Sequence, residues 1–304
     1  MRKKIIATGI NGLVGSRIVE LLQGKFEFIN FGLEAGIDIT NYSLLEKKFG
    51  QFKEADLILH LAAFTDVNEA FKQTEDKTSS CYKVNVEGSK NIAQLAKKHS
   101  LYMINISTDF VFDGQRPPKG GYTEKSLPHP IEWYGQTKRW AEEEINKIYG
   151  NLINLRIAFP FKAKYSRINL EPKPKLDLVR RIIESLRENN ELFMFTDQII
   201  TPTFIDDITA VILRLITLKP KGIFHCVGSS SLTPYNLGLK ICDIFELDKN
   251  NIKKYSLEKY LEENPGTRLR QKNLSLSNKK IEKELGVKMS TINEALEKMK
   301  SQMF

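Results

Sequence analysis

The 304-residue chain has few of the residues that build cross-links or metal centres, with three cysteines and four histidines. The cysteines lie far apart without a CxxC pair, and the histidines show no metal-ligand spacing. This argues against a disulfide framework and a structural zinc site. We therefore expect reduced thiols, a cytoplasmic location and no metal in the functional site.

Long apolar stretches are also missing. No run approaches the roughly 20 residues that span a bilayer, so we expect no membrane partner. The basic start at residues 2–4 resembles a signal peptide, but the apolar run after it ends at Gly9. That is too short for an h-region of about 7–15 residues, so we interpret residues 3–8 as a first buried strand.

Positive charge is in excess, with 46 Lys+Arg against 37 Asp+Glu and a net charge of +9. Such a surplus accompanies nucleic-acid binding or a pocket for a polyphosphate ligand. Much of it lies in scattered lysines at helix-surface spacing, and no nucleic-acid-binding module is visible. We expect a solvated, lysine-rich surface and no nucleic-acid partner.

Short apolar runs alternate with amphipathic stretches through the first half of the chain. This alternation predicts an α/β fold, a Rossmann-type doubly wound parallel sheet with helices on both faces. The predicted strands are 4–8, 27–31, 57–61, 103–107 and 152–157, and the predicted helices are 14–22, 43–49, 84–99 and 135–148.

The pattern changes after about residue 159. The basic segment 162–175 is interpreted as a loop, and a further buried strand is predicted at 222–227. Helices are predicted at 176–188, 206–218, 233–245, 279–285 and 291–300. We predict a dinucleotide-binding core at 1–160, completed by about 201–228, and a small C-terminal substrate-binding lobe at 161–200 and 229–304.

A GxxGxxG motif, with Gly9, Gly12 and Gly15, follows the first strand and opens the first helix. Only glycine lets such a turn tighten and the backbone approach a pyrophosphate, which then faces the helix N-terminus. The strand–loop–helix context predicts binding of NADPH or NADH. The alternative is a tight turn in another α/β fold.

The choice between the two coenzymes stays open in the sequence. Glu34 lies about 20 residues beyond the loop, where an acid accepts a hydrogen bond from the 2′-hydroxyl of NAD. Arg17 or Lys25 could instead meet a 2′-phosphate, although each also suits a plain surface charge.

Tyr134 and Lys138 form a YxxxK pair, whose spacing places both side chains on one face of a helix. The ammonium is expected to lower the pKa of the phenol, which could then transfer a proton to or from a sugar oxygen. Thr108 follows the fourth strand, at the sheet edge where ligands of α/β proteins bind.

These features together resemble an extended short-chain dehydrogenase/reductase and, more narrowly, the dTDP-4-dehydrorhamnose reductase family. The most specific match is the segment 107–114, Ser-Thr-Asp-Phe-Val-Phe-Asp-Gly, which is close to the family's STDYVFDG. Further matches lie at 60–65, 84–88, 134–138 and 197–203, so the resemblance covers nearly the whole chain.

The resemblance implies roles for individual residues. The catalytic residues would be Thr108, Tyr134 and Lys138, with Asn85 near the lysine, unless Asn85 only makes a helix-start hydrogen bond. The cofactor would contact the glycine loop with Leu13 and Val14, and the adenine-side residues Asp38 and Ile39. Beside the nicotinamide would lie Ala62, Ala63 and Ile106, and Tyr134 and Lys138 would also bind the cofactor, with Lys138 at the nicotinamide ribose. The substrate would contact Thr108 and Asp109.

One departure from the family lies after the fifth strand, where Phe159 stands in place of the usual tryptophan. We expect Phe159 to pack on the substrate's deoxysugar, with a core position beneath the lobe as the alternative. The segment that follows, 162–175, also differs from the family and could meet the nucleotide diphosphate or stay solvated.

The function implied is NAD(P)H-dependent reduction of the C4 keto group of a nucleotide-linked 4-keto-6-deoxyhexose, with dTDP-4-dehydro-L-rhamnose as the leading substrate. A homodimer is the oligomer considered. One alternative is an epimerase or dehydratase on the same scaffold, against which Phe110 weighs, because dehydratases place an acid there. The other is a non-catalytic regulatory subunit resembling that of methionine adenosyltransferase.

Overall fold

Ten strands organise the described part of the chain, and six of them form one parallel sheet. The computed structural model describes residues 2–52, 54–163 and 176–303. Its strands are β1 (Lys3–Thr8), β2 (Phe26–Asn30), β3 (Leu57–His60), β4 (Tyr102–Thr108), β5 (Leu152–Ile157), β6 (Pro160–Phe161), β7 (Leu192–Phe195), β8 (Thr203–Phe204), β9 (Gly222–Cys226) and β10 (Ile252–Tyr255).

Helices connect these strands and cover both faces of the sheet. They are α1 (Leu13–Leu22), α2 (Tyr42–Phe49), α3 (Val67–Phe71), α4 (Ser80–Tyr82), α5 (Ser89–Lys98), α6 (Trp133–Ile148), α7 (Leu178–Arg187), α8 (Ile205–Leu218), α9 (Pro234–Phe245), α10 (Leu257–Glu263), α11 (Lys279–Leu285) and α12 (Ile292–Ser301). A π-helical turn, Lys83–Gly88, joins α4 to α5. Because of this turn, the stretch predicted as one helix over 84–99 has a change of pitch at its start.

The strand order of the large sheet is β2-β1-β3-β4-β5-β9, with every neighbouring pair parallel. The chain turns from β1 to β2 on one side and then crosses to β3 on the other. Ligands of such sheets bind at the carboxyl ends of the strands where the winding direction changes, here β1 and β3. The predicted Rossmann-type doubly wound sheet is confirmed.

Side chains of the central strands alternate between two apolar cores, because successive residues of a strand point to opposite faces. Ile5 packs with the helices on one face and Ile6 with those on the other, and Ile104 and Met103 divide in the same way. All seven residues of β4 are buried. This explains why the sequence shows unbroken apolar runs rather than alternation.

A third core lies outside the large sheet, where α7, α9 and α12 pack with the parallel pair β7–β10. The sequence analysis missed both of these strands. Leu192–Phe195 is only partly buried, and Ile252–Tyr255 carries two lysines, so neither has the pattern of a core strand. The domain boundaries stay a prediction, and residues 164–175 of the predicted basic loop lie outside the described residues.

Candidate active site

The glycine loop has the geometry of a close backbone crossing. Gly9 has a φ of +65°, and a methyl group on it would lie 2.7 Å from the backbone nitrogen of Ala62. A methyl group on Gly15 would lie 2.6 Å from Cα of Ile10. Both positions therefore need glycine to bring the start of α1 against β1 and the loop after β3.

Gly12 differs from Gly9 and Gly15 in the space around it. A methyl group there would meet only the carbonyl oxygen of Gly9, at 3.3 Å. Gly12 is also the N-cap of α1, and as a glycine it offers no side-chain acceptor to the first N–H groups of this helix. Since the first N–H groups of a helix lack intrahelical acceptors, they form a site for an anion in front of Gly12.

One cleft of about 610 Å³ runs from the glycine loop to the carboxyl ends of β4 and β5. Every residue that the sequence analysis assigned to the cofactor, the substrate or catalysis lines it, except Asn85. These residues are Gly9, Gly12, Leu13, Val14, Gly15, Asp38, Ile39, Ala62, Ala63, Ile106, Thr108, Asp109, Tyr134, Lys138 and Phe159. The structure thus brings together segments that are far apart in sequence.

Helix α6 carries Tyr134 and Lys138, and contacts before and after this pair hold the helix in place. The carboxylate of Glu132 caps the helix by accepting from the N–H groups of Tyr134 and Gly135, at 3.2 and 2.6 Å. Two turns after Tyr134, Glu142 makes a buried bidentate ion pair with Arg156 of β5, at 2.9 and 2.6 Å. These contacts hold the helix against the sheet edge where the cleft opens.

Lys138 is buried, and its Nζ donates to the carbonyl oxygen of Ile106 at 2.9 Å. Burial lowers the pKa of Lys138 to about 8, while the nearby carboxylate of Glu142 opposes this shift. The ammonium is thus held at the end of β4, in reach of a hydroxyl bound in the cleft.

Burial raises the pKa of Tyr134, and a hydrogen bond with the Thr108 hydroxyl partly offsets the shift. The sequence argument expected Lys138 to lower this pKa. In the structure the ammonium is hydrogen-bonded to the Ile106 carbonyl, and the effect of burial is larger. The phenol therefore keeps its proton at neutral pH, which suits a proton donor.

Polar atoms without partners face the same end of the cleft. Thr108 Oγ1 accepts from the N–H of Phe110 and donates to Asp109 Oδ1, at 3.3 and 3.1 Å. Asp109 Oδ2 and Ser107 Oγ are buried and have no hydrogen-bond partner among the described residues. Burial raises the pKa of Asp109 to about 7. Such orphaned groups fit a polar ligand that would pair with them.

Two phenylalanines form the apolar wall beside Tyr134. The ring of Phe110 meets Tyr134 edge-on at 5.7 Å and Phe159 at 6.4 Å between centroids. Phe159 is half-buried, has a φ of +41° and packs against the lobe core as well as lining the cleft. It therefore lies at the boundary between the cleft and this core, and its packing on the deoxysugar stays a prediction.

Asn85 is buried outside the cleft lining. Its Oδ1 accepts from the N–H of Phe64 at 2.8 Å, and its Nδ2 donates to Thr137 Oγ1 at 3.0 Å. It thereby joins the loop after β3 to the helix that bears Tyr134 and Lys138. This is a positioning contact rather than the simple helix-start bond that was the alternative.

Arg268, in the segment between α10 and α11, was missed by the sequence analysis. Its guanidinium carbon lies 5.9 Å from the ring centroid of Phe110, and its Nε donates to Asn68 Oδ1 at 3.1 Å. Burial lowers the pKa of Arg268 to about 10, with the neighbouring Arg270 acting in the same direction. No local motif marks this arginine, because it reaches the site from about 130 residues beyond Tyr134.

The cleft fits a dinucleotide by three observations on the protein itself. The free helix end in front of Gly12 suits a pyrophosphate. The β2 side of the cleft, whose lining includes Ile37, Ile39 and Ala62, suits an adenosine, and Lys138 lies at the opposite end. In the described parts of the chain, no group of three or more His, Cys, Asp or Glu side chains could hold a metal.

Comparisons with known proteins agree with this geometry. A family model described as RmlD substrate binding domain matches residues 3–304. The chain is 28% identical over 299 residues to the probable low-salt glycan biosynthesis reductase Agl14 of Haloferax volcanii, an alignment that covers 95% of this chain and 94% of that relative. No helix within the described residues is long and apolar enough to cross a membrane.

Two further comparisons bear on the kind of protein. The chain is similar to the crystal structure of dTDP-4-dehydrorhamnose reductase from Bacillus anthracis in complex with NADP, with a TM-score of 0.85, 26% identity and coverage of 99% of this chain and 100% of that one. It is also 25% identical over 258 residues to methionine adenosyltransferase 2 subunit beta of Rattus norvegicus, covering 83% of this chain and 75% of that relative.

Proposed function

The chain belongs to the family described as RmlD substrate binding domain, and on this premise we propose that it is an NAD(P)H-dependent reductase of a nucleotide sugar. It reduces the C4 keto group of a nucleotide-linked 4-keto-6-deoxyhexose. The leading substrate is dTDP-4-dehydro-L-rhamnose, which becomes dTDP-L-rhamnose. The similarity to a dTDP-4-dehydrorhamnose reductase that was crystallised with NADP supports both the reaction and the cofactor.

One observation carries the proposal. A single cleft is lined at one end by the glycine loop and at the other by Thr108, Tyr134 and Lys138. A dinucleotide laid along it, with its pyrophosphate at Gly12, has its nicotinamide end beside Tyr134. The apolar rings of Phe110 and Phe159 leave room there for a sugar.

When bound, the reduced nicotinamide supplies the hydride that adds to C4 of the sugar. The Tyr134 hydroxyl gives its proton to the C4 oxygen, so the carbonyl becomes a secondary alcohol. Tyr134 is protonated at the start because burial raises its pKa. When the substrate binds, the Thr108 hydroxyl turns from Asp109 Oδ1 and donates its one proton in a hydrogen bond to the same C4 oxygen. This bond stabilises the negative charge that develops on that oxygen.

Lys138 acts through its position and its charge. Its Nζ, fixed on the Ile106 carbonyl, binds the nicotinamide ribose and favours the phenolate that Tyr134 becomes after proton transfer. Asn85 and the Glu132 cap hold the helix that carries both residues. The orphaned carboxylate oxygen of Asp109 accepts a hydrogen bond from a sugar hydroxyl.

The test is an assay with the purified full chain. NADH or NADPH is incubated with a panel of 4-keto-6-deoxy sugar nucleotides, and the loss of reduced-nicotinamide absorbance is followed. The expected result is substrate-dependent oxidation of the coenzyme, with one equivalent of alcohol product. If the coenzyme stays reduced while the sugar nucleotide is converted, an epimerase or dehydratase replaces the reductase proposal.

The similarity to a methionine adenosyltransferase subunit keeps a regulatory role as the second candidate. In that case the chain binds the dinucleotide but oxidises none of it with any substrate of the panel. The presence of Thr108, Tyr134 and Lys138 in one cleft favours the enzyme. The cytoplasmic location and the homodimer stay predictions.

A further inference from the structure

The cleft ends on its β2 side in a turn that carries oxygen acceptors. Gly32, Leu33 and Glu34 follow β2 and line the cleft. The Glu34 carboxylate folds back over Gly32, because a methyl group built on Gly32 would lie 3.1 Å from Glu34 Oε2. The same methyl group would lie 3.0 Å from Asn30 Oδ1. Two acceptors thus converge on one spot beside the glycine loop.

The Asn30 side-chain oxygen is, of these two acceptors, the one that is buried and unpaired in the described structure. Asn30 Oδ1 is buried and lacks a hydrogen-bond partner among the described residues. A buried acceptor without a donor fits a ligand that brings a hydroxyl or N–H group. Together with the Glu34 carboxylate, it forms a place for a neutral hydrogen-bond donor and not for an anion.

The fold places the adenosine ribose of a bound dinucleotide at this spot. In Rossmann domains the acidic residue after the second strand accepts from the ribose 2′-hydroxyl of NAD, whereas NADP carries a phosphate there and needs a cation. A phosphate group has a charge of about −1.5 to −2 at neutral pH. Beside Glu34 it would meet a like charge, with Asp38 as a second carboxylate in the same lining.

No cation offsets this repulsion in the part of the lining that the structure describes. Lys138 is the one lysine or arginine there, and it is held at the opposite end by the Ile106 carbonyl. Arg17 makes a bidentate ion pair with Asp206, both bonds at 2.7 Å. It is therefore committed to the contact between α1 and α8.

Lys25 is excluded by its place in the fold. It precedes β2, whereas the cleft lies beyond the other end of that strand. Five residues of strand separate the two ends by about 17 Å. Neither basic residue that the sequence offered for a 2′-phosphate is therefore near the ribose position.

We infer that this chain selects NADH over NADPH and that Glu34 is the residue that determines the choice. The inference rests on the proposed function, since it concerns the same dinucleotide site. A related reductase was crystallised with NADP, so the preference belongs to the side chains after β2 and not to the fold as such.

The experiment measures dissociation constants of NADH and NADPH by calorimetry on the full chain, without substrate. We expect the wild-type protein to bind NADH about tenfold tighter or more at low salt, because like charges in contact oppose binding. Glu34→Gln should narrow the ratio of the two constants, and Glu34→Arg should reverse it. Higher ionic strength should also narrow the wild-type ratio.

Glu27→Gln is the matched control. Glu27 is an exposed carboxylate on β2, the strand that precedes Glu34, and does not line the cleft, so its replacement should leave the ratio of the two dissociation constants unchanged. Equal or tighter wild-type binding of NADPH, or a ratio insensitive to both Glu34 variants, overturns the inference while the dinucleotide site stands. Failure of the folded wild-type chain to bind either coenzyme overturns the proposed function, and this inference with it.

Discussion

The hydroxyl oxygen of Thr8 lies 2.7 Å from Nδ1 of His60, which joins the carboxyl ends of the adjacent strands β1 and β3. Thr8 Oγ1 also accepts from the N–H groups of Leu61 and Ala62, at 3.2 and 3.1 Å. On the far side of the ring, Nε2 lies 3.0 Å from Ser89 Oγ. The glycine loop and the loop that faces it thus start from one buried hydrogen-bond network.

The network requires a neutral imidazole. With both Thr8 Oγ1 lone pairs accepting, its proton is donated to His60 Nδ1, and Nε2–H is donated to Ser89, whose hydroxyl donates to the Asn85 carbonyl at 2.6 Å. Burial lowers the pKa of His60 to about 3. The unfolded chain takes up this proton near pH 6.5, so the stabilisation is complete above that pH and is lost as the pH falls toward 3.

We predict that the stability advantage of the wild type over His60→Gln shrinks by about 2 kcal/mol between pH 6.5 and pH 5. The free energies of unfolding of wild type and variant must be compared at the same pH, because other groups titrate in this range. Asp109 and Glu132 have pKa values raised to about 7, so their contributions have the opposite sign and are lost as the pH rises. Urea unfolding measures the difference, and the exposed His129→Gln is the control. An advantage that does not change with pH would contradict the neutral-ring network.

Replacing Gly12 should affect coenzyme binding, whereas replacing Gly15 should affect the stability of the fold. Gly12→Val should fold, because Gly12 has ordinary extended dihedrals and its Cβ meets only the Gly9 carbonyl. The valine side chain would stand in front of the helix end, so we expect NAD(P)H binding to be lost. Gly15→Ala should instead lower the melting temperature, because its Cβ would clash with the backbone of Ile10. Calorimetry and thermal unfolding on both variants check this, and normal coenzyme affinity of folded Gly12→Val would refute the pyrophosphate position.

How far the sequence predicts this molecule depends on how local each signal is. The glycine loop and Thr108 follow strands whose apolar runs are set by burial on both faces. The Tyr–Lys pair lies on one face of an amphipathic helix, so all three positions could be predicted from local sequence. Phe159 and Arg268 illustrate the limit. Whether a ring faces a cleft or a core depends on the lobe packed against it, and the approach of Arg268 to Phe110 depends on tertiary contacts. Strands β7 and β10 were missed for the same reason, because neither has the apolar pattern of a core strand and their pairing depends on tertiary contacts.

Proton transfer by Tyr134 is tested by Tyr134→Phe. The ring and its packing on Phe110 remain, but the transferable proton is gone. We expect kcat to fall by roughly 10²–10⁴-fold, the usual contribution of general acid catalysis, with little change in coenzyme affinity. Tyr82→Phe, at a ring that packs on Trp140 and does not line the cleft, should keep normal kcat. Near-normal turnover by Tyr134→Phe would assign the proton to another group.

Phe159 lies between the cleft and the lobe core, so its replacement should affect two quantities. Phe159→Ala should raise KM for the sugar nucleotide, with a loss in kcat/KM of about 5–30-fold, equivalent to about 1–2 kcal/mol. Coenzyme affinity should stay close to wild type. The melting temperature should fall only modestly, because the ring is half-buried. A large loss of stability with unchanged KM would make Phe159 a core residue only.

Arg268 lies against Phe110 at the substrate end of the cleft, next to the residues that line it. A nucleotide sugar carries a diphosphate, and Lys138 is committed to the nicotinamide end, so we expect the Arg268 guanidinium above Phe110 to bind the substrate's phosphates. Arg268→Met keeps most of the side-chain length and removes the charge. Since a hydrogen bond to a charged group contributes about 1.5–3 kcal/mol, the affinity for dTDP should fall by roughly 10–100-fold.

Thymidine, which has no phosphate, separates charge from packing in this experiment. If Arg268 binds the diphosphate, Arg268→Met weakens dTDP but leaves thymidine and NADH affinities unchanged, and raised salt weakens dTDP binding to the wild type more than to the variant. Arg139→Met, which removes a half-buried arginine paired with Glu143 on the same α6 helix, should change none of these affinities. Equal losses for dTDP and thymidine would mean that Arg268 supports the Phe110 wall by contact and leaves the phosphates to another part of the chain.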